Sequence, residues 1–211
     1  MARYDLIIFD FDGTLADSFP WFANTINDVA CEMRFKPFDL ASMDALRRMS
    51  SRELLAMTGL PAWRLPAVVR RMRQRMTARI CDVAVFDGVP ELLADLKASG
   101  IAVAVVTSNS EANVRAVLGP ELSERIDHFE CGASLFGKAR LLKKVLVHVG
   151  VSAGRSICVG DETRDVEAAR RAGVRFVGVG WGYAAPELLA AWTGEGVLDV
   201  PADLLGHVGL G

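Results

Sequence analysis

The stretch Asp10-Phe11-Asp12-Gly13-Thr14-Leu15 decides the fold of this chain and predicts where its chemistry lies. It follows Tyr4-Asp5-Leu6-Ile7-Ile8-Phe9, an apolar run typical of a buried strand. Ligands of an open parallel sheet bind outside the carboxyl ends of its strands, so two acids at such an end predict a functional site. A hairpin turn is the alternative because Asp-Gly is common in turns, but a hairpin has no use for acids at both positions.

The composition predicts a globular protein of one or two domains, with 211 residues, a formal net charge of −2 and 24% charged residues. Its apolar runs, such as 101–106, are far shorter than the ~18–20 residues that a membrane span needs. Acidic residues interrupt any signal peptide near the N-terminus, and the four cysteines lack zinc-binding spacing. We therefore expect a cytoplasmic protein without a membrane partner.

A helical insertion is predicted over residues 17–86, directly behind the first strand. The spacing of apolar residues predicts helices at about 20–33, 40–49, 51–58 and 65–80, and no strand between 17 and 82. The last of these helices carries arginines at positions 70, 71, 73 and 75 opposite its apolar stripe. They indicate either a solvated face or a field that attracts anions. A nucleic-acid surface is disfavoured because no aromatic residues interleave the basic run.

The remaining residues alternate between strands and helices. Strands are predicted at about 101–106, 128–131, 156–160 and 175–179, and helices at about 89–99, 111–118, 138–149 and 166–172. The tail, 197–211, predicts one short strand and one short helix. This alternation predicts an α/β fold, a doubly wound Rossmann-like parallel sheet with helices on both faces. The predicted core is thus 1–16 plus 87–211, and residues 17–86 form an inserted α-helical subdomain.

Three later stretches follow predicted strands or open helices, and each has a structural alternative. Thr107-Ser108-Asn109 offers hydrogen-bond donors to an anion, although helix capping explains such residues about as well. Lys138 lies in the first turn of a helix, where the dipole disfavours a cation, so it is either a surface lysine or the partner of an anionic site. Asp161 precedes Asp165 by one helical turn and would also suit an N-cap.

Together these residues predict a site for phosphate and a hard cation. Asp10, Asp12 and Asp161 can supply oxygen ligands to Mg²⁺, which favours carboxylates, water and substrate phosphate. Thr107 and Lys138 can supply hydrogen bonds and positive charge. An aspartate is ionised at neutral pH and needs no base to attack phosphorus, once its repulsion from the phosphate is offset.

In this order the four stretches resemble the motifs of the haloacid dehalogenase-like hydrolase superfamily, over nearly the whole chain. Residues 10–15 resemble the first motif, Thr107 the second, Lys138 the third and 160–165 the fourth. The helical insertion resembles the small cap of that superfamily. The branch is identified by further similarity to phosphoglycolate phosphatase-like proteins at 17–18, 86–89 and 168–173.

The resemblance implies a Mg²⁺-dependent phosphatase that acts on a small, phosphoglycolate-like phosphomonoester through an aspartyl-phosphate intermediate. Asp10 would be the nucleophile, and Asp12 would donate and then accept the proton. The Asp10 side chain, the Asp12 backbone carbonyl and Asp161 would hold the metal, with Asp165 and Glu162 behind them. Which of these last three acids touches the metal is left open.

The resemblance also implies a set of substrate-binding residues: Gly13, Thr107, Ser108, Asn109, Lys138 and, in the cap, Arg52. Arg52 lies where relatives carry an arginine for a second anionic group, and a helix-surface arginine is the alternative. Asp12 argues against the dehalogenase branch, which lacks this acid. The absence of a histidine before His128 disfavours a mutase, and the cap lysine Lys36 suits a phosphonatase poorly.

Other activities stay open as alternatives: a phosphotransferase, a pyrophosphatase or a non-catalytic binding protein. A protein of the last kind would typically lose Asp10, Asp12 or Lys138, and this chain has all three. The expected partner is a small phosphorylated substrate rather than nucleic acid. Both a monomer and a homodimer are compatible with the sequence.

Overall fold

Residues 4–210, which the computed structural model describes, form a parallel sheet covered by helices on both faces and a set of helices inserted behind its first strand. The strands are β1 (Leu6–Phe9), β2 (Ala16–Asp17), β3 (Ala84–Val85), β4 (Ala102–Val106), β5 (His128–Glu130), β6 (Ser156–Gly160) and β7 (Arg175–Gly178). The helices are α1 (Phe19–Met33), α2 (Met43–Arg47), α3 (Ser51–Met57), α4 (Leu65–Ala78), α5 (Val89–Ala98), α6 (Glu111–Ser123), α7 (Lys138–Val149), α8 (Thr163–Ala172), α9 (Pro186–Thr193) and α10 (Asp203–Val208).

The order of the five-stranded sheet, β5-β4-β1-β6-β7, confirms the predicted doubly wound parallel fold. The chain leaves β1 in the middle of the sheet and later adds strands on both sides of it. Crevices for ligands form where the strand order reverses in this way. The predicted core limits at 1–3 and 211 lie outside the described residues.

Strand β1 is buried on both faces because successive side chains point to opposite sides of the sheet. Ile7 and Phe9 pack in the cluster that includes α5, α6 and α10. Leu6 and Ile8 pack in the cluster beneath α7 and α8. An unbroken apolar run is the pattern that such a two-sided position requires.

The register of the central strands brings the candidate residues to one edge of the sheet. Phe9 lies opposite Val105 of β4 and Val159 of β6. Asp10 is therefore level with the last residues of both neighbours, and Thr107 and Asp161 follow one position further on. All three strands are parallel, so their carboxyl ends open into the same crevice.

Helices α1 to α4 lie between two short strands, β2 and β3, which pair antiparallel through Ala16 with Val85 and Asp17 with Ala84. This ribbon brings the two ends of the insertion together. The division of the chain at 17 and 86 stays a prediction. Among residues 4–210, no helix is both long and apolar enough to cross a membrane.

The structure differs from the sequence-based prediction at several elements. Helix α9 lies in a stretch, 180–196, where no element was predicted. The β2–β3 ribbon was not predicted because two-residue strands have no readable periodicity. The strand predicted after residue 197 is absent, since Leu198 makes only an isolated bridge to Val179, whereas the predicted helix forms as α10. Helix α6 continues beyond Leu118 through a kink at Gly119, where the backbone leaves helical geometry.

Candidate active site

Lys138 lies at the centre of a buried ionic cluster. Its Nζ is 2.5 Å from Asp10 Oδ2 and 2.6 Å from Asp165 Oδ1, and its side chain is only 5% exposed. The alternative of a surface lysine is therefore excluded. Burial opposes the ammonium charge, but the charges of Asp10 and Asp165 outweigh it and raise the pKa of Lys138 above its usual value. Lys138 stays protonated between two carboxylates.

Asp10 is placed directly after β1 and is almost fully buried. Burial raises the pKa of its carboxyl to about 7, although the positive charge of Lys138 acts in the opposite direction. One oxygen, Oδ1, accepts the N–H of Phe11 at 2.6 Å. The other, Oδ2, touches the lysine but accepts no hydrogen bond of good geometry. Asp10 Oδ2 is thus paired with the Lys138 ammonium and has capacity for one further donor or cation.

Three buried carboxylates, those of Asp10, Asp161 and Asp165, each place an oxygen within 4.8 Å of the others. Burial and then the charges of Glu162 and Asp10 raise the pKa of Asp161 well above its usual value. This mutual repulsion, together with the remaining capacity of Asp10 Oδ2, fits a divalent cation, which would offset the negative charge. The donor set is all oxygen, as Mg²⁺ prefers.

The three acids of the fourth motif differ in the charge of their partners: Asp165 and Glu162 are each paired with a cation, whereas the donors to Asp161 are neutral. Asp165 accepts the Lys138 ammonium on Oδ1 and the backbone N–H of Glu162 on Oδ2. Glu162 caps α8 and turns away, with Oε1 on Arg164 and Oε2 on Ser51. Asp161 is thus not the N-cap of α8. Of the three acids in the fourth motif, Asp161 is the one best placed to accompany Asp10.

Asp161 is enclosed by two glycines and two hydrogen bonds. Gly13 has a φ of +78°, and a Cβ on it would lie 2.2 Å from Asp161 Oδ2. A Cβ on Gly182 would lie 2.2 Å from Asp161 Cβ. Thr14 Oγ1 and the backbone N–H of Tyr183 donate to the two carboxylate oxygens, both at 2.8 Å. Only glycine fits at either position while the carboxylate stays there.

Asp12 occupies a half-buried position beside this cluster. Burial raises the pKa of its carboxyl, and hydrogen bonds from Ser18 and Asn109 offset part of that rise. Asn109 Nδ2 lies 3.2 and 3.1 Å from the two Asp12 oxygens. Ser18 Oγ in turn makes a hydrogen bond of 2.9 Å with the Tyr183 hydroxyl. A chain of polar groups therefore orients the second acid of the first motif.

Thr107 and its neighbours form the loop after β4. Thr107 is fully buried, and its Oγ1 accepts the N–H of Asn109 at 3.0 Å. The cap of α6 is Ser110, which accepts from Asn113, so Thr107 is not used for helix capping. Ser108 is half-buried and lines the cavity above Asp12. This arrangement places Thr107 at the carboxyl end of β4, next to β1, and Ser108 on the wall of the cavity that Asp12 also lines.

Ser18 and the loop containing Gly182 and Tyr183 are site residues that the sequence reasoning did not select. The loop directly follows Val179, at the same sheet edge as the other motifs. Its sequence, Gly180-Trp181-Gly182-Tyr183, alternates glycine with aromatic residues, a pattern that indicates close backbone packing. The side chain of Ser18 makes no N-cap hydrogen bond on α1. It makes hydrogen bonds with the Tyr183 hydroxyl and with Asp12 instead.

Arg52 is not brought to the site by the structure. Its Nε and Nη2 donate to the two carboxylate oxygens of Glu167 at 2.8 and 2.7 Å. Its guanidinium also lies over the ring of Phe136, 4.7 Å from the centroid. The side chain is half exposed and is not among the residues that line the cavity. Its contact with substrate stays a prediction.

Comparison with known proteins gives a consistent result. A family model for haloacid dehalogenase-like hydrolases matches residues 7–179. A phosphoglycolate phosphatase of Synechococcus elongatus is 34% identical over 200 residues, which are 94% of each chain. The tyrosine-protein kinase PtkA of Mycobacterium tuberculosis is 32% identical over 194 residues, 87% of this chain and 65% of that protein. A predicted phosphatase from Clostridium acetobutylicum has the same fold, with a TM-score of 0.80 at 20% identity, over 97% of this chain and 98% of that one.

Proposed function

Because this chain belongs to the haloacid dehalogenase-like hydrolases and is a phosphatase of that family, we propose that it hydrolyses a small phosphomonoester through an aspartyl-phosphate on Asp10. The observation that carries the proposal is the buried contact of Asp10 with Lys138 beside Asp12, at the carboxyl ends of the central strands. The name of the Synechococcus elongatus relative makes phosphoglycolate the reference substrate with which others are compared.

Asp10 is proposed as the nucleophile. A carboxylate oxygen attacks phosphorus, and the bond between phosphorus and the leaving alcohol oxygen breaks. The ammonium of Lys138, held by Asp165 at 2.6 Å, offsets the repulsion between the carboxylate and the phosphate. Thr107, Ser108 and the backbone around Gly13 would hold the phosphate oxygens. Because Lys138 is buried, this compensation is not screened by solvent.

Asp12 is proposed to manage the proton in both steps. It gives a proton to the leaving oxygen, and then takes one from the water that attacks the phosphoaspartate. Hydrolysis releases inorganic phosphate and returns the Asp10 carboxylate. The raised pKa of Asp12, caused by its burial, supports a protonated acid at the start. Asn109 and Ser18 hold the carboxyl in place for both transfers.

Mg²⁺ is proposed as the cofactor, held by the Asp10 and Asp161 carboxylates and the Asp12 backbone carbonyl. When bound, it would supply positive charge against the phosphate oxygens. Asp165 and Glu162 are assigned behind the metal, since Asp165 already holds the Lys138 ammonium and Glu162 the Arg164 guanidinium. Gly13 and Gly182 fix the position of Asp161 for this role.

A phosphotransferase is the alternative, and the relative named as a kinase is the observation in its favour. Both activities need the same attack by Asp10. They differ in whether water or another acceptor takes the phosphoryl group from it. Release of inorganic phosphate in the absence of any added acceptor would separate the two.

Removal of divalent cations is expected to reduce hydrolysis of p-nitrophenyl phosphate to the background rate. Excess Mg²⁺ after EDTA should restore it, because the buried carboxylates otherwise repel each other and the phosphate. Mg²⁺ should also stabilise the folded chain: at 100 times its Kd the free energy of unfolding should rise by about 2.7 kcal/mol. The midpoint temperature of thermal unfolding should rise with it. Asp161→Asn should lose this thermal shift, and Glu162→Gln should keep it. Full activity in EDTA would contradict the metal assignment.

Replacing Arg52 by Ala is expected to change the KM for p-nitrophenyl phosphate and for phosphoglycolate by the same factor, below about twofold. The reason is that Glu167 already holds the guanidinium on the outside of the cavity, and exposed ion pairs contribute little. Arg48→Ala is the control, because Arg48 is another exposed cap arginine, 3.7 Å from Glu187. A rise in KM confined to phosphoglycolate would support the substrate contact that the resemblance implies.

A further inference from the structure

A cavity of about 260 Å³ lies between the catalytic loops and the inserted helices. We call it the leaving-group cavity. It begins at Asp12, Ser108 and Asn109, where the phosphate is proposed to bind, and extends between α1, α3 and α4. A water molecule needs only roughly 10–15 Å³ of such volume, so the cavity has room for much more than a two-carbon group.

The wall of this cavity is apolar over most of its extent. About two thirds of its lining residues carry aliphatic, aromatic or thioether side chains. They include Phe19, Phe22, Leu46, Leu54, Val69 and Met72. Pockets of this kind gain affinity from buried apolar area, and a few polar groups at one end set the orientation. Here the polar end coincides with the proposed phosphate site.

Three arginines line the cavity, and each already has a partner inside the protein. Arg47 donates to the carbonyls of Gly182 and Tyr183, at 2.9 and 3.0 Å. Arg73 donates to the carbonyl of Ala133 at 3.1 Å.

The third, Arg164, is buried and binds Glu162 through two of its nitrogens. Arg73 Nε and Arg164 Nη1 are nevertheless buried without an acceptor, so a second anionic group has donors available at the polar end of the cavity. Along the apolar wall, which forms most of the lining, it would lose its hydration without compensation.

We propose that the preferred substrate is a phosphomonoester whose leaving group is predominantly apolar, a branched or aromatic alcohol or an alkyl chain of several carbons. This inference rests on the proposed phosphatase function and names its substrate class. The leaving oxygen lies beside Asp12, and the carbon skeleton fills the leaving-group cavity. Glycolate has only two carbons and a carboxylate, so it would leave most of the apolar wall of this cavity uncovered.

The test is a homologous series of ethyl, n-butyl and n-hexyl phosphate, with phosphoglycolate and p-nitrophenyl phosphate, assayed by release of inorganic phosphate with Mg²⁺ present. The alkyl alcohols are similar leaving groups, so differences in kcat/KM report the contacts of the chain. We expect kcat/KM to rise by about two- to fourfold for each added methylene, as buried methylenes do elsewhere. Phosphoglycolate should be slower than n-butyl phosphate.

Two variants test whether the dependence of kcat/KM on chain length arises from contacts with the cavity wall. Leu54→Gln puts an amide on its wall and should reduce the hexyl-to-ethyl ratio of kcat/KM by about tenfold. Val69→Trp should narrow the cavity and shorten the preferred chain. Met57→Gln is the matched control, because Met57 lies on α3 with Leu54 but is exposed and does not line the cavity. It should leave the ratio unchanged, and circular dichroism checks that all three variants fold.

The outcomes distinguish failure of the apolar substrate class from failure of the proposed phosphatase function. A series that is flat or falls with chain length, or a clear preference for phosphoglycolate, overturns the apolar substrate class while phosphatase activity stands. A rise with chain length that Met57→Gln reduces as much as Leu54→Gln also overturns it. Hydrolysis of none of the five esters, by a folded and Mg²⁺-loaded protein, overturns the proposed function and the inference together.

Discussion

Replacing Asp10 by Asn is expected to abolish phosphatase turnover, with a loss of about 10⁴-fold or more, as when other covalent nucleophiles are removed. An amide oxygen is neutral and does not attack phosphorus. It also carries no charge opposite Lys138, which lies 2.5 Å from the carboxylate. The substitution preserves the shape of the side chain, so the buried packing around β1 is kept. The measurement is kcat for p-nitrophenyl phosphate with saturating Mg²⁺.

Two further measurements make this result specific. A phosphorylated protein should be trapped by rapid acid quench and found by mass spectrometry in the parent chain, and should be absent in Asp10→Asn. Asp5→Asn is the matched control, since Asp5 lies just before the same strand but is exposed and paired with Arg155. It should retain parent activity. Residual turnover of Asp10→Asn within tenfold of the parent would refute the nucleophile assignment.

Replacing Asp12 by Asn is expected to lower kcat by about 10²–10⁴-fold, the range that a positioned acid–base group contributes. The loss should depend on the leaving group. An alkyl alcohol needs a proton from Asp12 as it departs, whereas p-nitrophenolate departs without one. The defect should therefore be largest for alkyl phosphates and smaller for p-nitrophenyl phosphate.

The same variant should change which species accumulates. Without Asp12 to accept a proton from water, phosphoaspartate on Asp10 breaks down slowly, and p-nitrophenyl phosphate should give an initial burst of p-nitrophenol. Asn109→Asp is a useful companion, because it removes the donor 3.1 Å from the Asp12 carboxylate and adds a like charge. An equal loss for both leaving-group types, with no burst, would assign Asp12 a structural role only.

The parallel sheet could be predicted because its three central strands are buried on both faces. Runs such as Leu6–Phe9 and Ala102–Val106 have no polar interruption, and no other common element of that length requires this. The β2–β3 ribbon could not be predicted, since its two-residue strands are stabilised by pairing across the whole insertion. The strand predicted after 197 does not form because its apolar residues pack against the core without a continuous partner strand. Apolar character alone does not show whether such a partner is available.

The roles around the carboxylates depended on contacts that sequence distance hides. Lys138 and Asp165 are 27 residues apart, and Thr14 and Asp161 are 147 apart, yet both pairs bond directly. The contact of Tyr183 with Asp161 could not be predicted because it depends on the pairing of β7 with β6. Only this pairing brings the loop after β7 to Asp161.

The stretch from Asp10 to Leu15, with the apolar strand before it, was enough to determine the fold class and the edge of the sheet where the chemistry lies. Strand burial and acids at strand ends are local properties, so one chain can reveal them. The tertiary structure decided which acids are paired with a lysine or an arginine, that Arg52 is held by Glu167, and that the inserted helices line an apolar cavity. These depend on which side chains meet after packing, because each partner uses up hydrogen bonds or charge that the sequence alone leaves unassigned.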